Sequence, residues 1–82
     1  MIDLRKGTIY KISFPGLSDK HYIGKTIRTL KQRLDEHAAL KNKRLISFAI
    51  RKYGLENTII EAIEADIPIP LLDDRELYYI NL

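Results

Sequence analysis

The sequence has 82 residues, a length that suits one domain whose core hides about 60 % of the surface of the unfolded chain. It contains no cysteine, which excludes a disulfide framework and a cysteine-ligated metal site. The sequence shows neither a bilayer-spanning apolar run nor a signal-peptide pattern, so we expect a soluble, cytoplasmic protein with no membrane partner.

The formal net charge of +3 is divided unevenly along the chain. Ten basic residues lie between Lys20 and Lys52 against two acidic ones, whereas Arg75 is the single basic residue after Glu56. A basic half of this kind can concentrate on a phosphate backbone, which favours DNA as a partner. The alternative interpretation is two solvated faces of ordinary helices.

A hairpin is predicted at the start of the chain. Residues 7–14 are rich in β-branched and aromatic side chains, residues 15–20 have turn composition, and residues 21–24 resume an extended run. One arm carries Tyr10 and the other Tyr22, and cross-strand neighbours approach closely enough for the two phenols to share a site. The register of the two arms cannot be read from the sequence.

The first helix is predicted to begin at Ile27, after a turn at residues 25–26, and to fade near residues 40–43. Its N-cap is either Thr26 or Thr29. The apolar stripe of this helix has Arg33 and His37 beside it. Taken alone, Arg33 is most simply a partner for a neighbouring acid, and His37 a surface or core group.

The second half of the chain is predicted to contain a helix, a strand and a last helix. Residues 45–53 have helical spacing, and Gly54 suits a left-handed position after that helix. Residues 58–64 form the third strand. Pro68 and Pro70 are expected to exclude regular structure until a last helix begins near Leu71. Four aromatic residues are assigned to the core: Phe14, Phe48, Tyr53 and Tyr78.

A carboxylate lies on the apolar stripe of the last helix. Leu72, Glu76 and Tyr79 share this stripe, so the Glu76 side chain is expected among apolar groups. Because a buried, unpaired carboxylate is costly, it should have a cation, which could be a metal ion, Arg33 or Lys25. The alternative is that Glu76 lies at the rim of the stripe without a partner.

These elements predict an α+β fold, with a small three-stranded antiparallel sheet flanked by helices in the order β-β-α-α-β-α. Several segments also resemble one family. The sequence contains Thr8-Ile9-Tyr10 and Tyr22-Ile23-Gly24, followed by Lys25. Arg33 precedes His37 by four residues, and the last helix contains Arg75-Glu76-Leu77-Tyr78-Tyr79-Ile80. Together these motifs resemble the GIY-YIG nucleases, and residues 51–57 are similar to the intron-encoded homing subgroup.

The resemblance implies a metal-dependent DNA endonuclease. Glu76 would hold one divalent cation, Mg²⁺ or Mn²⁺, because carboxylate and water ligands suit hard ions. Arg33 would stabilise the charge on the phosphate, for which its forked guanidinium is suited.

The remaining candidates concern proton transfer. Tyr22 is assigned as general base, with Lys25 supplying a positive charge that favours its phenolate. Tyr10 would order the attacking water or a phosphate oxygen, and His37 would hydrogen-bond a tyrosine hydroxyl or shuttle a proton. Taken singly, each tyrosine is more simply a core or sheet residue.

Two departures from the family pattern qualify the assignment. Family members continue to a Gly-Tyr-Asn-like segment, so residues 1–82 are expected to be one nuclease domain trimmed from a longer chain. Homing enzymes also carry a second histidine where this chain has residues 41–44. We expect a monomer whose target recognition falls to a separate DNA-binding module. The alternatives are a DNA-binding module without cleavage, or a repair and recombination nuclease of the same fold.

Overall fold

Three antiparallel strands form a sheet in the order β2-β1-β3, with β1 in the middle. The computed structural model describes residues 5–16, 21–39 and 45–82. The strands are β1 (Lys6–Ser13), β2 (His21–Thr26) and β3 (Ile59–Pro68). The helices are α1 (Leu30–Ala38), α2 (Leu45–Tyr53) and α3 (Ile69–Ile80), with a 3₁₀ turn at Leu55–Asn57. The predicted α+β class and element order are confirmed.

The register of β1 and β2 places the two tyrosines diagonally across the hairpin. Tyr10 lies opposite Gly24, and Ile12 lies opposite Tyr22. Diagonal neighbours on one face of a sheet remain within reach of aromatic side chains. Part of the predicted turn, residues 17–20, lies outside the described residues.

β3 is longer than predicted, and the expectation that Pro68 interrupts regular structure is wrong. The strand runs to Pro68, which pairs with Lys6, and α3 starts at the next residue. Proline is tolerated here because β3 is an edge strand, where its missing N–H need not serve a second neighbour. The register shifts at Ile9, and Asp66 adopts a φ of 58°, so the ladder is irregular near this end. Pro70 occupies the first turn of α3, where a proline costs no hydrogen bond.

α1 begins three residues later than predicted. Residues 25–26 still belong to β2, and Thr29 caps a helix that starts at Leu30. A capping box fixes this start: Gln32 N–H donates to Thr29 Oγ1 at 3.1 Å, and Thr29 N–H donates to Gln32 Oε1 at 3.0 Å. Of the two predicted caps, Thr29 is therefore confirmed. The helix ends at Ala38, and the predicted fading at residues 40–43 lies outside the described residues.

α2 ends as predicted, on a glycine with positive φ. Gly54 has φ 91° and ψ 142°, and its N–H donates to the Ile50 carbonyl at 2.9 Å. A side chain is poorly tolerated at this φ, so glycine suits the position. The chain then turns through the 3₁₀ segment into β3.

The core has two parts, one on each face of the sheet. Because side chains alternate along a strand, Ile9 points to one face while Tyr10 and Ile12 point to the other. Ile9 joins Ile67 and Leu72 beneath α3. The opposite face is covered by α1 and α2, and its buried members are Tyr10, Ile12, Phe14, Ile46 and Ile50. A site that uses side chains from both faces must therefore lie at an edge of the sheet.

Of the four aromatic residues assigned to the core, one is buried. Phe14 is 6 % exposed, whereas Phe48, Tyr53 and Tyr78 are 37–51 % exposed. Each of the three exposed rings lies beside a cation, which lets an aromatic residue remain at the surface: Arg51 on Phe48, Lys52 on Tyr53 and Arg75 on Tyr78. Among the described residues, no helix combines the length and the apolar character needed to cross a membrane.

Candidate active site

The phenol of Tyr10 lies in a slot that depends on Gly24. A Cβ placed on Gly24 would lie 2.4 Å from the Tyr10 hydroxyl and 2.9 Å from the Tyr22 ring. The absence of a side chain at Gly24 therefore lets both tyrosines pack over β2. The glycine of the Tyr22-Ile23-Gly24 motif is required here for close approach of side chains, since its φ lies outside the positive range.

Tyr10 connects Arg33 and His37 beneath α1. Its hydroxyl lies 2.9 Å from His37 Nε2 and accepts a hydrogen bond from Arg33 Nε at 3.1 Å. Tyr10 and His37 are fully buried, whereas the Arg33 side chain is 20 % exposed. Because Arg33 Nε only donates, the Tyr10 O–H is available to donate to His37 when that ring nitrogen is unprotonated. The hydrogen bond from Arg33 Nε to the Tyr10 hydroxyl holds one end of the Arg33 guanidinium in place.

Burial raises the pKa of the Tyr10 phenol. The hydrogen bond and positive charge of Arg33 act in the opposite direction, while the charges of Tyr22 and Glu76 raise the pKa further. The phenol is therefore neutral at physiological pH. A buried, neutral Tyr10 does not reach an attacking water directly. The geometry favours a positioning role over the expected role of ordering water.

Tyr22 lies at the outer side of the same cluster. Its ring is half-buried, with its centroid 5.5 Å from that of His37 in an edge-on arrangement and 6.3 Å from that of Tyr10. The predicted proximity of the two phenols is present. Unlike Tyr10, Tyr22 is accessible enough to contact a water or a substrate.

Lys25 points away from Tyr22, because residues three apart on one strand face opposite sides of the sheet. Its ammonium contacts the Asp73 carboxylate and lies 3.9 Å from Glu76 Oε1, and both acids belong to α3. The expectation that Lys25 acts on the Tyr22 phenol rested on its position three residues after Tyr22. The separate prediction of a turn at residues 25–26 is wrong, because β2 continues through both residues.

Glu76 has a cation nearby, so of the two interpretations that the sequence left open, the one without a partner is wrong. Of the three candidate cations, the structure shows Lys25 beside it, and the Glu76 side chain is 24 % exposed. Asp73, the other acidic partner of Lys25, was not predicted as part of the site. The available signal was its spacing, because residues three apart on a helix share a face and Asp73 precedes Glu76 by three.

A metal ion at Glu76 would need most of its ligands from the substrate and from water. Within residues 5–16, 21–39 and 45–82, no group of three or more His, Asp or Glu side chains could enclose a metal ion. Mg²⁺ commonly binds to one or two carboxylates, with phosphate oxygens and waters as its other ligands. Lys25 lies 3.9 Å from Glu76, so it would have to move for a cation to bind at this carboxylate. Glu76 can then supply one carboxylate ligand of the kind that Mg²⁺ takes.

An open pocket of about 280 Å³ joins the two halves of the site at the β2 edge of the sheet. Lys25 and Arg33 line it together, and Leu72 of α3, one turn before Glu76, forms part of its wall. The structure groups four of the predicted side chains on one face of the sheet, Tyr10, Tyr22, Arg33 and His37. Lys25 and Glu76 form a second group with α3. The pocket joins the two groups through Lys25 and Arg33.

A family model described as the GIY-YIG catalytic domain matches residues 6–82. No curated protein matches the chain with significance, and no solved structure does. The family match covers every element of the fold, from β1 through α3.

Proposed function

Because this chain belongs to the GIY-YIG catalytic domain family, which implies nuclease activity on DNA in general, we propose that it is a metal-dependent endonuclease that hydrolyses a phosphodiester bond. The observation that carries the proposal is the pocket at the β2 edge. Arg33 reaches it from one face of the sheet, and Lys25 connects it to Glu76 on the other. A phosphate bound there would meet positive charge from both sides.

Arg33 is proposed to stabilise the charge that develops on the phosphate. Its Nε is held by Tyr10, and its side chain lines the pocket, where NH1 lies 3.6 Å from Glu36 Oε2. A guanidinium fixed in this way presents parallel N–H donors that match two phosphate oxygens. Donors held in position before the reaction are effective because they need no reorganisation in the transition state. Tyr10 and His37 are therefore positioning residues for Arg33.

Tyr22 is proposed as the general base, directly or through one water. It is the accessible phenol of the cluster, and it lies on the same face of the sheet as Arg33. Arg33, rather than Lys25, is the cation that lies on the Tyr22 face of the sheet. His37, edge-on to the Tyr22 ring and bound to Tyr10, keeps the two phenols in a fixed arrangement.

Glu76 is proposed to hold one Mg²⁺ or Mn²⁺, with Lys25 as its counterion before the metal binds. When bound, a divalent cation supplies charge stabilisation at the phosphate and at the leaving 3′ oxygen. The Glu76 carboxylate contributes the protein ligand and the negative charge that attracts the cation.

Conversion of supercoiled plasmid to nicked and linear forms tests this function. We expect cleavage in Mg²⁺ and none after chelation with EDTA. Tyr22→Phe, Arg33→Ala and Glu76→Ala should each lower the rate by about 10²-fold or more, the size of effect seen when one transition-state donor is removed. Leu77→Ala is the matched control, because Leu77 adjoins Glu76 on α3 and is 57 % exposed. Cleavage by Glu76→Ala at the wild-type rate would remove the metal site from the proposal.

A DNA-binding module without cleavage is the second candidate. It is favoured by one observation: Lys25 already neutralises Glu76 and Asp73, so the carboxylates have a role without a metal. Affinity for DNA with no Mg²⁺-dependent nicking would support this candidate against the enzyme.

Within the nuclease family we propose the homing type. The support is the sequence of residues 51–57, which is similar to the corresponding segment of the homing subgroup. Preference for linear duplex over branched DNA would agree with this subtype. Preference for branched DNA would favour a repair or recombination role.

A further inference from the structure

One carboxylate lies among the cations of the pocket. Glu36 of α1 lines the same pocket as Arg28 and Arg33. Its Oε1 lies 3.3 Å from Arg28 NH1, and its Oε2 lies 3.6 Å from Arg33 NH1. The two oxygens of a single carboxylate therefore each face a different guanidinium.

Each arginine is also anchored by a contact that does not involve Glu36. Arg33 is held through its Nε by the buried Tyr10 hydroxyl. The backbone of Arg28 is fixed in the β2–α1 loop, where its N–H donates to Thr26 Oγ1 at 2.9 Å. Thr26 is itself 7 % exposed. Neither of these two contacts uses the Glu36 carboxylate.

Building on the proposed function, we propose that Arg28 and Arg33 form a subsite for a DNA phosphate, and that Glu36 occupies this subsite until DNA binds. Carboxylates and phosphates present similar acceptor oxygens, and arginine binds both through the same donors. A phosphate would replace the two Glu36 oxygens with its own. The subsite adds Arg28, a residue outside the catalytic set, to the substrate contacts.

The ion pair between Arg28 and Glu36 is easily broken. The Arg28 and Glu36 side chains are 63 % and 38 % exposed. Ion pairs at such positions are weak, because water and salt screen them. The phosphate backbone of DNA has a high charge density, and each phosphate contact also releases a condensed counterion. A phosphate is therefore expected to compete successfully with Glu36.

Binding of a short fluorescent DNA duplex in EDTA tests the subsite apart from cleavage. Arg28→Gln should weaken binding by about three- to tenfold and reduce the slope of log K against log salt by about one. Glu36→Gln should strengthen binding by about three- to tenfold, since an internal competitor is removed. Fluorescence anisotropy measured over a range of salt concentrations gives both quantities.

The same helix provides matched controls. Lys31 and Asp35 form an exposed ion pair at 3.2 Å. Neither is among the described residues that line the pocket. Lys31→Gln and Asp35→Asn change the net charge as Arg28→Gln and Glu36→Gln do. If the subsite exists, the pocket variants change affinity at least threefold more than their controls. Equal effects within either matched set would overturn the subsite, because only total charge would then matter.

The outcome is separable from that of the nuclease proposal. If the affinity pattern holds but no nicking occurs in Mg²⁺, the phosphate subsite stands and the enzyme assignment fails. If nicking occurs and the matched variants are equivalent, the subsite fails alone. Absence of binding by the wild-type chain in EDTA would also overturn the subsite.

Discussion

Removal of the Tyr10 hydroxyl is the most informative single change in the buried part of the site. Tyr10→Phe keeps the ring above Gly24 but eliminates the contacts to His37 and Arg33 at 2.9 and 3.1 Å. A buried polar group left without its partner costs about 1–3 kcal/mol. We expect a loss of about 2 kcal/mol in the free energy of unfolding, since Arg33 is partly exposed and recovers water. For a domain of this size that is a fall of roughly 8–16 °C in Tm.

Tyr10→Phe should also slow cleavage, although Tyr10 is proposed to act through Arg33 and not on the substrate. With its Nε released, the Arg33 guanidinium loses its fixed orientation, and misplacement of a positioned group by about 1 Å can cost 10²-fold. We expect a decrease of about 10- to 100-fold in the single-turnover rate, measured well below the Tm of the variant. Thermal unfolding by circular dichroism supplies the stability.

Tyr79→Phe is the control for Tyr10→Phe. The Tyr79 hydroxyl donates to Glu64 at 2.9 Å, so this variant also loses a hydrogen bond within the fold. It should lower stability by about 1 kcal/mol and leave the cleavage rate unchanged. Wild-type stability and rate in Tyr10→Phe would refute the positioning role. Equal rate losses in both variants would refute it as well, since they would reflect general destabilisation.

Three further predictions concern stability, each measured by thermal unfolding. Gly24→Ala should lower the free energy of unfolding by about 1–3 kcal/mol, because its Cβ would overlap the Tyr10 hydroxyl. An unchanged Tm would contradict the requirement for glycine at this position. Hydrogen bonds from Tyr79 and Arg75 hold the pKa of Glu64 below its ordinary value near 4.5. These bonds therefore stabilise the fold above pH 4.5. The stabilisation is lost as the pH falls through the lowered pKa. Glu64→Gln should reduce the loss of stability at acidic pH. An unchanged dependence of Tm on pH would disprove this role of Glu64. Asp66 has a φ of 58°, a backbone conformation that favours glycine. Asp66→Gly should therefore keep or raise the Tm, whereas Asp66→Val should lower the free energy of unfolding by about 1–2 kcal/mol. The reverse order would contradict backbone strain at this position.

The fold could be predicted from the sequence where local signals agree with tertiary packing. Gly54 supplied the positive φ after α2, and the first two strands followed from their composition. Pro68 misled the prediction of β3, because a proline is excluded from a central strand but tolerated at an edge. The position of β3 at an edge depends on strand order, which composition does not encode.

The start of α1 shows how a small error in a boundary changes the interpretation of a site. Thr26 and Thr29 both have the chemistry of a cap, and the choice depended on the reciprocal bond with Gln32. Placing the helix three residues too early put Lys25 in a turn beside Tyr22. In the structure Lys25 remains on β2 and faces α3, so its partners are the acids of that helix.

The candidate site was predictable as a set of residues but not as a set of contacts. The motifs identified Tyr10, Arg33 and His37, and the structure places them within hydrogen-bond distance. The contacts of Glu36 could not be predicted from the sequence, because they depend on how the β2–α1 loop positions Arg28. Long-range side-chain geometry of this kind follows from packing between elements.

The central claim is that Arg33 and Glu76, from opposite faces of the sheet, act on one phosphodiester. A double-mutant cycle of Arg33→Ala and Glu76→Ala, followed by single-turnover cleavage in Mg²⁺, tests it most directly. Each single variant should lower the rate by about 10²–10³-fold, and the double variant should be no more than about threefold slower than the slower single variant. Rate losses that multiply, or a Glu76→Ala variant that cleaves at the wild-type rate, would contradict the claim.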